Sequence, residues 1–218
     1  ELIGAVREAV EQSGIAPGDV AAIGLDGQMA GILGVDGDLN AVTAYDSWLD
    51  TRCGKYIEQI KRTAEERVIA LTGCPVVTAH GPKMLWWKHE RPETWRRIAK
   101  FLVPSAYLAC RLCGLKAADA HIDYTQIHFS GFADVEHVRW SEELVSLFGM
   151  DGDKLPRIVK PWEIVGRLAP EAASAMGLMA GTPVAAGCGD QSATSLGAGV
   201  TEPGIVFDVA GTASVFSC

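Results

Sequence analysis

The stretch Thr182-Pro183-Val184-Ala185-Ala186-Gly187-Cys188-Gly189-Asp190-Gln191 decides how this chain is read. Residues 182–186 form a short apolar run of strand length, and residues 192–196 open a helix. Between them stands a carboxylate with glycines at 187 and 189. Open α/β sheets gather ligands at the carboxyl ends of their strands, so an aspartate at such a junction faces a cleft. Glycines on either side carry no Cβ and leave room for a substrate to come close. The same aspartate also reads as a helix N-cap, because Asp satisfies the free N–H groups of a first turn well. Spacing alone leaves both readings open.

Outward from that junction the chain alternates helix-like and strand-like runs. Residues 2–12 form an amphipathic helix with a glycine stop at Gly14. The apolar run 20–25 reads as a strand buried on both faces. Residues 27–35 read as a second strand, Asp36-Gly37 as a hairpin turn and 39–44 as a third strand. From about 50 to 95 the pattern is helical, with Gly73 as a stop and Pro82 and Pro92 as helix starts. A strand at 101–103 leads into a helix over 105–113, and a second helix covers 170–176 before Gly177. Two strands, 204–209 and 213–217, close the chain around Ala210-Gly211-Thr212. This is a mixed α/β pattern, without solenoid repeats or low-complexity segments.

Composition limits the functions available. The 218 residues are 48% hydrophobic and 21% charged, ordinary values for a globular chain. No apolar run approaches the ~18 residues of a membrane-spanning helix, and the first ten residues lack the pattern of a signal peptide. The net charge of −8 speaks against nucleic acid, since the densest basic cluster, 88–100, is interleaved with Glu90 and Glu93. An anionic ligand therefore needs backbone amides, a metal ion or a few local side chains. Six cysteines and no export signal fit a reducing, cytoplasmic setting. Cys110 and Cys113 form a CxxC in an apolar helix end without a second such pair, which favours buried structural thiols over zinc or redox chemistry.

Other residues carry weaker signals. Gly211-Thr212-Ala213-Ser214 sits in a tight connection whose N–H groups and hydroxyls suit an anion, or simply turn a hairpin. Trp48, Asp50 and Arg52 alternate in a way that suits a polyol, with an indole over its apolar face and charged groups on its hydroxyls. A buried tryptophan beside a surface ion pair is the plainer alternative. Asp123-Tyr124-Thr125 either touches substrate or starts a helix. The five histidines show no metal-ligand spacing.

Taken in order, these segments resemble the FGGY carbohydrate kinases. Ile23-Gly24-Leu25-Asp26-Gly27-Gln28-Met29-Ala30-Gly31 is similar to the S-G-Q-M-H-G stretch of xylulokinase-like members. Trp48-Leu49-Asp50-Thr51-Arg52 matches W-x-D-x-R, and Thr72-Gly73 followed by Pro82-Lys83-Met84-Leu85-Trp86 resembles T-G and P-K-L-L-W. Asp123-Tyr124-Thr125 resembles D-Y-S/T, Gly189-Asp190-Gln191 resembles G-D-N/Q, and Gly211-Thr212 resembles the start of G-T-S. The matches cover nearly the whole chain.

The resemblance implies an α/β fold, a ribonuclease-H-like kinase N-terminal domain of the actin–hexokinase type over 1–218. It implies ATP-dependent phosphorylation of a sugar or polyol, with a pentulose such as xylulose or ribulose favoured and Mg²⁺ as the metal. Asp190 would be the general base. Gln28, Met29, Ala30, Trp48, Asp50 and Gln191 would bind the sugar, and Gly211 and Thr212 would contact phosphate. A homodimer is the assembly it suggests, although no interface signature stands in the sequence. A non-catalytic sugar-binding or regulatory protein on the same fold is the rival reading.

Several positions depart from the pattern. Ala30 stands where xylulokinases have histidine, Asp26 where they have serine, and Ala213 replaces the serine of G-T-S. Gln191 is the residue glycerol kinases carry, where xylulokinases have asparagine. The family's opening D-x-G-T/S phosphate loop and its adenosine-holding second domain have no counterpart in the sequence. The expectation is a portion of a longer enzyme, incomplete at its N-terminus and nearly inactive alone.

Overall fold

In the computed structural model, which describes residues 1–210 and 214–217, the first helix is α1 (Leu2–Ser13). Gly14 ends it at φ 67°, a left-handed position that glycine takes without a Cβ clash. In the run 20–25, Ile23 bridges Val184 in parallel and Leu25 O accepts the Cys188 N–H. Ala21, Ala22 and Gly24 are exposed while Ile23 and Leu25 turn inward, so the expectation of two buried faces is corrected. Only one face of this segment meets apolar partners, around Leu112 and Val184.

The expected second strand, 27–35, is two pieces, β1 (Asp26–Gly27) and β2 (Leu33–Val35). Ala30 breaks it by taking φ 61°. The turn at Asp36 forms, but its left-handed residue is Leu39 (φ 64°) and not Gly37. Asp36 accepts from the backbone N–H groups of Asp38 and Asn40, a carboxylate brace that holds the loop. The expected strand over 39–44 reduces to a single bridge at Ala41, and a second bridge, at Asp46, falls just beyond it.

The helical region contains α2 (Gly54–Thr72), interrupted at Ala64, then α3 (His80–Glu90) and α4 (Pro92–Arg97). Gly73 stops α2 at φ 66°, and Pro82 falls in the first turn of α3, where its missing N–H costs nothing. Next come β3 (Lys100–Leu102), antiparallel to β2, and α5 (Pro104–Cys113). Then follow β4 (His121–Asp123), β5 (Ala133–Asp134), β6 (Arg139–Trp140), α6 (Glu142–Leu147) and β7 (Arg157–Val159), with β7 parallel to β4. The last part holds β8 (Ile164–Arg167), α7 (Pro170–Met176), β9 (Pro183–Ala185), β10 (Cys188–Gly189), α8 (Asp190–Gly197), β11 (Phe207–Ala210) and β12 (Ser214–Ser217).

Three apolar clusters hold these pieces. One joins α2, α3 and β3 through Ile60, Leu85 and Phe101 to Phe132 and Leu144. A second fills the space between β2, β3, α5 and β4 with Val35, Leu102, Ala106 and Ile122. The third seats α1 and α7 on α5 and β9 through Leu112, Leu168, Met176 and Val184. Burying side chains of this size stabilises by roughly 1.5–3 kcal/mol each before entropy is counted. Among the described residues no helix is long and apolar enough to cross a membrane.

Candidate functional site

Two segments some 160 positions apart in sequence lie side by side. Ile23 N–H donates to Pro183 O at 2.9 Å, Ala185 N–H to Ile23 O at 2.8 Å and Cys188 N–H to Leu25 O at 3.1 Å. The pairing ends with β1 parallel to β10, Asp26 opposite Cys188 and Gly27 opposite Gly189. Beyond this point the two chains part. One turns through Gln28, Met29 and Ala30, and the other starts α8 at Asp190. Adjacent parallel strands thus deliver both segments to the same carboxyl end, where such sheets bind ligands.

The glycines that flank Asp190 serve a different purpose from the one their spacing suggested. A Cβ on Gly187, whose φ is 78°, would lie 1.6 Å from Leu25 O. A Cβ on Gly189 would lie 2.5 Å from Met29 Sδ. Both glycines let protein segments approach each other, so the reading that they make room for substrate is corrected. The N-cap of α8 falls to Gly189, and Asp190 is the first helical residue, its Oδ1 accepting the Gln191 N–H at 2.9 Å.

Gln28, Met29, Ala30, Trp48, Asp190 and Gln191 line one cavity of about 370 Å³, together with Val77, Thr78 and Phe129. A space of this size suits a small molecule. Gln191 Oε1 is buried without a hydrogen-bond partner. Asp50 is not in the cavity wall. Its carboxylate accepts from Arg52 Nε at 3.0 and 2.9 Å and from Nη2 at 2.6 Å. The Arg52 guanidinium also bonds the buried Asp46 at 2.5 Å and lies 4.3 Å from the Trp86 ring centre. Asp46 in turn accepts from the Trp87 indole N–H. Arg52 beside it holds the Asp50 carboxyl below the usual range. Gly211 and Thr212, the expected phosphate contacts, lie outside the described residues.

Three residues the sequence reading passed over shape this cavity. Tyr45 donates its hydroxyl to Gln28 Oε1 at 3.1 Å. Burial, with the charges of Asp190 and Asp46, pushes its phenol up to about 12, so it stays a donor at neutral pH. Lys83, 2% exposed, donates to the carbonyls of Ala30 and Thr78, each at 2.8 Å. Burial pulls its ammonium below the usual lysine range. Thr78 donates to Trp48 O at 3.3 Å and so joins two parts of the wall. Lys83 left a trace in the sequence, a lone cation ahead of the apolar run Met84-Leu85-Trp86-Trp87. Tyr45 left none.

The remaining candidates sort by burial. Asp123, Asp26 and Asp190 act on the Cys188 thiol, which burial first and these charges next push up. Cys110 is buried and pushed up to about 12, and burial raises Cys113 too; both are free thiols. At both positions burial disfavours the thiolate that redox exchange needs. Among the described residues no group of three or more His, Cys, Asp or Glu side chains is placed to hold a metal ion. Asp123 neither starts a helix nor lines the cavity; it accepts hydrogen bonds from Thr125 and Gln126.

A carboxylate at the start of a helix, set at the carboxyl ends of two parallel strands and beside a small, mainly apolar cavity, is the arrangement of an α/β domain of the actin–hexokinase type. The chain belongs to the FGGY family of carbohydrate kinases and matches that family's N-terminal domain over residues 1–197. It is 34% identical to a xylulose kinase of Escherichia coli K12 over 202 residues, 91% of this chain and 40% of that enzyme. It is 28% identical to an autoinducer-2 kinase of E. coli SMS-3-5, over 95% of this chain and 39% of that one. The solved structure of a xyloylose kinase from Brucella ovis superposes with a TM-score of 0.85 at 30% identity, covering 98% of this chain and 43% of that one. The chain therefore spans about two fifths of the length of these relatives.

Proposed function

We propose that this chain is the sugar-binding and general-base domain of an ATP-dependent carbohydrate kinase acting on a sugar or polyol. The observation that carries the reading is the convergence of Asp190 and Gln191 with Gln28, Met29, Ala30 and Trp48 on one cavity. A pentulose such as xylulose or ribulose is the favoured substrate. The support is the naming of relatives for xylulose, the Escherichia coli K12 enzyme at 34% identity and the Brucella ovis structure at 30%.

In this reading Asp190 takes the proton from the attacking hydroxyl, which raises that oxygen's nucleophilicity as the new bond forms. The unpaired Gln191 Oε1 accepts from a second hydroxyl. Gln28, with its oxygen engaged by Tyr45, turns its amide N–H groups to the sugar. Trp48, Met29 and Phe129 cover the apolar C–H face and keep water from it. Asp50 acts from outside the wall, holding Arg52 against Trp86.

Magnesium ATP fits the charge of this edge. Asp26 in β1 and Asp190 at the start of α8 stand at the same end of neighbouring parallel strands, and carboxylate oxygens are the donors a magnesium ion takes. Asp26 and Asp190 would face the metal, and Gly211 and Thr212 the phosphates. When bound, magnesium ATP supplies the phosphoryl group and offsets the charge on its oxygens.

The test is a coupled ADP-release assay on the complete parent protein across pentuloses, hexuloses and glycerol. Turnover that disappears in Asp190→Asn is the expected result. Sugar binding with no turnover in the unsubstituted protein would replace this reading with that of a non-catalytic sugar sensor.

A further inference from the structure

The peptide that precedes Asp190 is held from below by a buried polar chain. Gly189 pairs with Gly27 across the β1–β10 ladder, and its own N–H points away from that ladder to Thr125 Oγ1 at 3.0 Å. The strand β10 is only two residues long, so a backbone donor here needs a partner from a side chain. Thr125 provides it in one orientation only. Its hydroxyl proton is committed to Asp123 Oδ1, which leaves the oxygen's lone pairs to accept from Gly189.

Asp123 is equipped to fix that orientation. It is 2% exposed, and besides the hydroxyl it accepts the Thr125 backbone N–H at 3.0 Å and Gln126 Nε2 at 2.7 Å. Gln126 is itself buried and donates to Ser105 Oγ at 3.3 Å. Ser105 lies directly beneath the other strand, where a Cβ on Gly27 would come within 3.0 Å of its backbone nitrogen. One network therefore sits under Gly27, which leads to Gln28, and under Gly189, which leads to Asp190. Gln126 spends its Nε2 on Asp123 and Ser105 and leaves Oε1 unpartnered. The fixed part of the network is therefore Asp123 with Thr125, which holds the Gly189 peptide by directed hydrogen bonds.

We propose that Thr125, oriented by Asp123, is a positioning residue that sets the place of the Asp190 carboxylate through the Gly189 peptide. The proposal rests on Asp190 being the base. Removing the hydroxyl leaves the substrate pocket lined as before but lets the base shift, and a small misplacement of a reacting group is expensive. The loss should fall on kcat and leave sugar KM nearly unchanged.

The experiment is steady-state kinetics of the complete parent enzyme carrying Thr125→Val, Thr125→Ala, Thr125→Ser or Asp190→Asn, with sugar and ATP varied in turn. Thr125→Val should lower kcat by roughly 10- to 100-fold and change sugar KM by less than about threefold. Thr125→Ser, which keeps the hydroxyl, should stay within about threefold of the parent in kcat. If Thr125→Val does not fold, Thr125→Ala removes the hydroxyl without putting a methyl in its place; the same loss of kcat is expected. An unchanged kcat in whichever of these variants folds overturns the proposal, as does a Thr125→Ser variant as impaired as Thr125→Val. A parallel rise in KM and fall in thermal midpoint would also overturn it, because that is the mark of packing alone. Asp190→Asn separates the two ideas: if it remains active the base reading fails, and if it is dead while Thr125→Val is normal only the positioning fails.

Discussion

The buried ammonium of Lys83 donates to the carbonyl of Ala30 at 2.8 Å and so fixes a residue whose φ of 61° is unfavourable for any side chain with a Cβ. That conformation costs an L-residue roughly 1–2 kcal/mol. The lysine offsets it by giving the carbonyl a charged partner in a place water does not reach. Local structure and site are coupled here, because Ala30 and Thr78, the two residues Lys83 ties together, both line the cavity.

Ala30→Gly should therefore raise stability by about 1 kcal/mol, against the usual direction for Ala→Gly, because glycine adopts this φ without strain. Lys83→Met should lower stability by about 2–3 kcal/mol, since two inward-facing carbonyls lose their donor. Urea midpoints of the two variants check both signs.

Gly31→Ala should weaken sugar binding more than it weakens the fold. An added Cβ would lie 2.1 Å from the Tyr45 hydroxyl, yet Tyr45 is 39% exposed and its ring has room to swing outward. Moving it breaks the bond to Gln28 Oε1. Loss of one hydrogen bond to a binding group is worth about 1 kcal/mol, or roughly fivefold in sugar KM. Tyr45→Phe should reproduce the KM effect, and calorimetry of both variants should show nearly unchanged unfolding.

Gly187→Ala should behave in the opposite way. Its Cβ would meet backbone, Leu25 O at 1.6 Å, and its φ of 78° would be strained as well. Backbone cannot move aside without parting residues 23–27 from 183–189. A loss above about 3 kcal/mol is expected, visible as a large drop in thermal midpoint with no folded variant left to assay at 37 °C.

Acid should destabilise the chain before its carboxylates titrate. Burial holds the His80 imidazole down at about 3, with Lys83 and His128 adding to the effect, and burial holds His121 at about 4. The unfolded chain protonates both near the ordinary 6.5. Between 6.5 and those folded values the unfolded state binds more protons, so stability is full above 6.5 and falls as pH drops through the window. Each histidine adds a slope of up to about 1.4 kcal/mol per pH unit. Urea unfolding of His80→Leu between pH 6.5 and 4.5 should show a slope shallower by about one proton.

Much of this was legible because it depends on neighbours in sequence. Glycine stops at Gly14, Gly73 and Gly177 and proline starts at Pro92 and Pro170 mark helix ends through backbone conformation alone, and the structure has them there. Asp190 at a strand–helix junction was legible for the same reason. Strand limits were not. Gly27 and Leu33–Val35 read as one run, 27–35, until Ala30 turns left-handed, and that turn is held by Lys83, 53 positions away.

The sequence by itself determined the α/β class, the ordered kinase-like motifs and the junction that carries Asp190, because propensity, capping and motif spacing are properties of short segments. Only the tertiary structure decided what the glycines around Asp190 are for, why Asp50 faces Arg52 and not the cavity, and that Tyr45 bonds Gln28, Lys83 bonds Ala30 and Thr125 bonds Gly189. Those are hydrogen bonds and close approaches between distant segments. They exist only once parallel pairing of β1 and β10 has brought residues 26 and 188 together, and no local pattern encodes them.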